Sequence, residues 1–202
     1  MERWAAAAGY TPVMGVDEAG RGCLAGPVVA AAVILKSTDG LDELDDSKAL
    51  SGKTRDRLFG VIKENAAAIG IGVVSAAEID GGNILAATLT AMHIAVTEAA
   101  KNYGHRVGIV IVDGNQQIKG LAMLQRAWVK GDHLSWNCAA ASVIAKVTRD
   151  RIMEGLDSTY PGYGFAQHKG YGTAKHLAAL KALGPCPEHR RSFAPVKDLL
   201  RH

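Results

Sequence analysis

The 202-residue chain is poor in cysteine, in aromatic residues (5%) and in long apolar runs, and it has no strong excess of either charge. Cys23, Cys138 and Cys186 are scattered, without C-x-x-C spacing. So sparse and odd a set argues against a disulfide framework and fits reduced thiols in a cytoplasmic protein. No apolar run approaches the ~20 residues that span a bilayer. The opening stretch Met1-Glu2-Arg3-Trp4 followed by four alanines lacks a signal-peptide layout. A net charge of +3 permits a polyanionic partner without requiring one. It speaks against a passive binder that depends on a strongly basic surface. What remains, 48% hydrophobic and 21% charged residues, is ordinary for a globular chain long enough to bury one core. No internal repeat or linker is visible.

Along the chain, strands and helices alternate. The spacing predicts a short helical lead-in over 1–11 and a strand over Val13 to Asp17. An antiparallel strand over Val28 to Leu35 follows. Ser51 reads as the cap of a helix burying Leu58, Val61 and Ile62. A third strand covers Ile69 to Ser75, a loop 78–83, and a long helix Ile84 to Asn102. Val107 to Val112 is the most apolar short run and reads as a buried parallel strand ending in Asp113-Gly114-Asn115. A fifth strand lies within Leu121 to Val129. A helix with small residues on one face runs from about Ser135 to Leu156, and Thr173 caps a later one. Lys146 and Arg149 lie three apart on that helix, a spacing that usually marks a solvated flank.

The chemistry gathers around Gly15-Val16-Asp17-Glu18-Ala19-Gly20-Arg21-Gly22. An isolated Asp-Glu pair more often marks a solvated turn than a site. Neighbouring strand residues point to opposite faces, so the pair can share a site only where the strand ends. Asp113 and Asp132 also fall at or just beyond strand ends, where ligand sites of open α/β sheets collect. Four carboxylates brought together would raise one another's pKa. Two divalent cations about 4 Å apart would relieve that repulsion, in the layout used for in-line phosphoryl transfer. No histidine or cysteine grouping offers a comparable zinc site.

With these acids in view, seven ordered blocks carry a resemblance to ribonuclease HII, the type 2 ribonuclease H family. They are 15–22, Asp46-Ser47-Lys48-Ala49-Leu50-Ser51, Val112-Asp113-Gly114-Asn115, Lys130-Gly131-Asp132, 139–150, 163–173 and 189–196. The departures are small: Gly131 and Gly172 replace residues common in the family, and Ser135-Trp136-Asn137-Cys138 is less typical. The resemblance implies a ribonuclease H-like α/β fold, a mixed five-stranded sheet flanked by helices. It implies a single domain over 1–202, with a helical C-terminal extension from about 160 that completes the substrate side. It implies endonucleolytic hydrolysis of RNA in RNA/DNA hybrids, and at a single ribonucleotide embedded in duplex DNA. Cutting falls 5′ to the ribonucleotide and leaves 3′-hydroxyl and 5′-phosphate ends. Asp17, Glu18, Asp113 and Asp132 match the family's catalytic, metal-binding acids, for two Mn²⁺ or Mg²⁺ ions. Gly20, Arg21 and Gly22 match the segment that reads the ribose 2′-hydroxyl, largely through backbone atoms. Tyr171 matches the tyrosine that packs on the adjoining sugar, with Tyr163 as a packing residue beside it. Lys48, Lys146, Arg149, Lys169 and Arg190 are candidates for phosphate contacts. The resemblance also implies a monomer.

Two other readings stay open on the residues alone. One is a different two-metal nuclease or strand transferase, which would use the same acids without the Gly-Arg-Gly segment and Tyr171. The other is a nucleic-acid-binding module whose acids serve only as turns.

Overall fold

A computed structural model of the chain describes residues 1–44 and 50–200. The elements run α1 (Glu2–Ala7), β1 (Val13–Ala19), β2 (Val28–Leu35), α2 (Gly52–Asn65), β3 (Ala66–Val74), α3 (Ala76–Asp80) and α4 (Ile84–Tyr103). They continue with β4 (Ile109–Asp113), β5 (Gln125–Trp128), α5 (Gly131–Leu134), α6 (Trp136–Thr159), α7 (Phe165–His168), α8 (Ala174–Leu183) and α9 (Ala194–Leu199). The strands form one mixed sheet in the order β3-β2-β1-β4-β5. β1 and β2 are antiparallel, as are β2 and β3, while β1–β4 and β4–β5 are parallel. The mixed five-stranded sheet expected from the sequence is therefore the one observed. Among the described residues, no helix is long and apolar enough to cross a membrane.

Strand alternation gives the sheet two buried faces. Met14, Val16, Val28, Ala30, Val110 and Val112 pack against Ala91, Met92, Ala95 and Val96 of α4. On the other face, Ala31 and Val33 meet Leu58 and Ile62 of α2 and Ala140, Val143 and Ile144 of α6. Each fully buried valine, leucine or isoleucine contributes about 1.5–3 kcal/mol. These two layers therefore hold β1, the central strand, firmly from both sides.

Several boundaries differ from the sequence expectation. β1 continues through Asp17 and Glu18 to Ala19, because Asp17 and Glu18 still pair with Ala31 and Ala30 of β2. The loop expected over 78–83 is shortened: α3 takes its first three residues and leaves 81–83 as the connection to α4. Ser75 and Glu78 form a reciprocal capping box that supplies the missing helix-end partners. β5 is shorter than its apolar run, and Gln125 at its start bonds through its side chain to both backbone groups of Ile118. α2, α6 and α8 start where Ser51, Ser135 and Thr173 cap them.

Candidate active site

The ends of β1 and β4 bring the first three acids together. Their parallel register pairs Val16 with Val112, so the next residues, Asp17 and Asp113, are neighbours across the ladder. Asp17 turns to the α6 face, where it is buried and accepts a hydrogen bond from Ser142. The Glu18 amide donates to Asp17 Oδ1 at 2.7 Å. Glu18 turns the other way. With Asp113 and Arg21 it lines a narrow cavity of about 20 Å³ walled by Leu85, Thr88 and Met92. Arg21 Nη1 lies 3.3 Å from Glu18 Oε1. Burial pushes the Asp17 carboxyl well above the usual range, and the charges of Glu18 and then Asp113 push it further.

Asp132 arrives by a different route. Lys130 adopts a left-handed turn, φ 62°, and starts α5. The Gly131 amide then donates to Asp113 Oδ1 at 2.7 Å, tying this turn to the end of β4. Asp132 Oδ1 accepts from the His133 amide at 3.0 Å. Its side chain lines an adjoining hollow with Ser135 and Trp136. The structure thus gathers Asp17, Glu18 and Asp113 at one rim and puts Asp132 on the turn bonded to that rim. Among the described residues, no three His, Cys, Asp or Glu side chains close to metal-holding distance. The donor chemistry nevertheless fits a hard divalent ion: the acids are oxygen ligands, and the buried Asp17 is destabilised by its neighbours' charge.

The Gly-Arg-Gly segment opens the connection from β1 to β2. Gly20 has φ +97°, and a Cβ there would lie 2.0 Å from Arg149 Nε. The fold itself demands this glycine. At Gly22 a Cβ would meet only open space. Close approach of a ligand to the backbone is therefore open at Gly22, while Gly20 is explained by packing. Tyr171, partly exposed, sits on a loop held to this segment by the Leu24 amide, which donates to the Gly170 carbonyl at 2.8 Å. Lys146 Nζ lies 5.6 Å from the centre of the Tyr171 ring. Tyr163 is a packing residue, stacked on Phe165 and donating to the Gly184 carbonyl at 2.7 Å.

The five cations proposed for phosphate contacts divide. Lys48 lies outside the described residues. Lys146 pairs with Asp150 and Lys169 with Glu154, each at 2.7 Å. Arg149 and Arg190 are corrected: both are completely buried, with their guanidinium groups on backbone carbonyls. The solvated flank expected for Arg149 is instead a packed one.

A chain of histidines behind Tyr171 escaped the sequence reading. The Cys186 amide donates to His189 Nδ1 at 3.0 Å, which places the His189 proton on Nε2. Nε2 then faces His176 Nε2 at 3.1 Å, and His176 Nδ1 lies 2.9 Å from the Tyr171 carbonyl. This order requires neutral rings. Burial, with His176 alongside, holds His189 down at about 4, and burial lowers His176 too.

Comparison with known proteins identifies the family. The family model described as ribonuclease HII matches residues 14–196. Ribonuclease HII of Geobacillus thermodenitrificans is 53% identical over 199 residues, covering 98% of this chain and 74% of that protein. Ribonuclease HII of Geobacter metallireducens is 53% identical over 190 residues, covering 94% and 87%. The crystal structure of ribonuclease H2 from Pyrococcus horikoshii superposes with a TM-score of 0.74 at 26% identity, covering 94% of this chain and 97% of that one. With the family model spanning most of its length and relatives about half identical along it, the chain belongs to the ribonuclease HII family and is a ribonuclease H endonuclease.

Proposed function

We propose that the chain hydrolyses the RNA strand of RNA/DNA hybrids and also cuts duplex DNA at a single embedded ribonucleotide. Cleavage falls on its 5′ side and leaves 3′-hydroxyl and 5′-phosphate ends. In this reading Asp17, Glu18, Asp113 and Asp132 are the catalytic acids and hold two Mn²⁺ or Mg²⁺ ions. Such ions, when bound, supply a water of lowered pKa and charge stabilisation at the phosphate. The observation that carries the reading is the parallel register of β1 and β4, which makes neighbours of two acids 96 positions apart in sequence, Asp17 and Asp113.

The chain's own groups have separate tasks. Ser142 and the Glu18 amide orient Asp17, and the Gly131 amide orients Asp113. Arg21 offsets the charge of Glu18. Gly20, Arg21 and Gly22 meet the ribose 2′-hydroxyl, the one group that separates a ribonucleotide from its deoxy counterpart. Tyr171 packs on the adjoining sugar, and Lys48 contacts a phosphate, fixing position without reading bases. The chain works as one ribonuclease H-like unit. Its C-terminal helical part, from about residue 160, completes the substrate side. The Gly26 amide bonded to the Glu188 carbonyl at 2.8 Å supports that assignment. We assign it to the cytoplasm as a monomer, in keeping with three buried, unpaired cysteines.

An end-labelled duplex with one ribonucleotide tests the reading. Cleavage 5′ to that residue with Mg²⁺ or Mn²⁺, none with a chelator, and none of an all-DNA control are expected. Cleavage of the all-DNA duplex, or turnover that persists in chelator, would overturn it.

A further inference from the structure

The two buried arginines are the feature that neither the fold nor the acids explain. A buried guanidinium is costly unless its donors are satisfied, and it is usually offset by a carboxylate. Here the hydrogen-bond partners of both guanidinium groups are all backbone carbonyls. Arg190 donates from Nη2 to Gly20 O at 2.7 Å, from Nη1 to Arg21 O at 2.9 Å and from Nε to Gly26 O at 3.0 Å. Arg149 donates from Nε to Pro27 O at 2.9 Å, from Nη2 to Ala25 O at 3.1 Å and from Nη1 to Lys169 O at 2.8 Å. Five of the six acceptors belong to one eight-residue stretch, Gly20 to Pro27. The sixth belongs to the loop that carries Tyr171.

Peptide geometry gives this arrangement a consequence. In a planar trans peptide, a carbonyl and the N–H that follows it point in opposite directions. Drawing Gly20 O and Arg21 O inward therefore turns the amides of Arg21 and Gly22 outward. At Gly22 nothing crowds the place where a Cβ would stand. Two outward N–H groups can donate to a hydroxyl oxygen. A planar fork suits the task because it grips two successive carbonyls at once, which an ammonium on a flexible stem does not. The bond from Arg149 to Lys169 O also sets how far Tyr171 stands from those amides.

We propose that Arg149 and Arg190 are positioning residues for ribose recognition. They hold the Arg21 and Gly22 amides toward the substrate and fix their separation from Tyr171. The proposal rests on the reading of Gly20 to Gly22 as the ribose-sensing segment.

The test is discrimination, not activity alone. Arg190→Lys and Arg149→Lys keep the charge and lose the fork. With divalent metal, kcat/KM is measured on two duplexes with one modified position, 2′-hydroxyl or 2′-fluoro. The ratio between them is expected to fall about tenfold or more in each variant. A purely structural role would lower both rates together, and an unchanged ratio would overturn the proposal. Should either variant fail to fold, amide exchange on the wild-type protein decides. The Arg21 and Gly22 amides should exchange freely in the free protein. They should gain protection with a ribonucleotide-containing duplex, held uncleaved with Ca²⁺, and not with all-DNA duplex. Protection already in the free protein, or equal protection by both duplexes, would overturn it. Wild-type protein that fails to cut at the ribonucleotide would instead remove the functional reading beneath it.

Discussion

The acid rim and the arginine clasp lie at the two ends of the same short stretch, Asp17 to Pro27, and they bury charge in opposite ways. At the rim, Asp17 is buried beside Glu18 and Asp113, and each raises its carboxyl. In the clasp, Arg149 and Arg190 are equally buried, and each guanidinium nitrogen donates to a backbone carbonyl, although burial, with Arg149 alongside, still lowers Arg190 to about 10. A charge left under stress is suited to receive a ligand. A charge whose nitrogens each meet a backbone carbonyl is suited to hold a shape. On the proposed reading, the contrast separates residues that act on substrate from residues that keep the site in form.

The sharpest way to break this contrast is Asp113→Asn. The amide oxygen can still accept from Gly131, so the melting temperature should hold while cleavage falls. Loss of several kcal/mol of charge stabilisation corresponds to on the order of 10³-fold. Turnover near the wild-type rate with Mg²⁺ would take Asp113 out of the reaction.

The next largest effect concerns stability. His189 is held at about 4, below its unfolded value near 6.5. A lowered histidine means the unfolded chain binds the proton first. The stabilising contribution is therefore complete above pH ~6.5 and is lost as pH falls toward 4, up to about 3 kcal/mol. Urea titrations across that range should show the slope, and His189→Gln should flatten it. A wild-type stability that does not decline over this window would contradict the neutral histidine chain.

Gly20→Ala and Gly22→Ala then separate shape from contact. The first forces a Cβ onto Arg149 at positive φ and should cost about 1–3 kcal/mol of stability. The second should leave stability within about 0.5 kcal/mol while impairing cleavage at an embedded ribonucleotide. Similar melting temperatures for the two variants would erase the distinction. Tyr171→Ala should remove the ring that packs on the adjoining sugar. It should slow cleavage at a single ribonucleotide more than cleavage of a long hybrid; equal slowing would undo its place in selectivity. The smallest effect is the control. Arg57 and Glu43 pair at 2.7 Å on the open surface, and Arg57→Ala should shift stability by less than about 1 kcal/mol.

Much of this organisation is legible in the sequence because burial leaves a pattern. The unbroken apolar run Val28 to Leu35 gave β2 its observed ends, and Ser51, Ser135 and Thr173 marked helix starts. The four acids were legible because each ends or follows an apolar run. Other features depended on geometry that spacing does not encode. The i, i+3 relation of Lys146 and Arg149 says that they share a flank, not whether that flank meets water or the Gly20–Pro27 stretch. The direction of Asp132 depends on the left-handed backbone of Lys130, a conformation that a lysine does not announce. Ser75 and Glu78 have capping-box spacing, but the helix they start lasts only five residues before Gly81 and Gly82, too short to leave a periodic pattern.

The connection between β1 and β2 has a practical consequence for anyone modifying the protein. Surface connections ordinarily tolerate insertions and tags best. This one is gripped along its length, so even a single inserted residue would shift the carbonyls off their arginines. Labels and fusions belong at the exposed turn over 104–106, at the far end of α4.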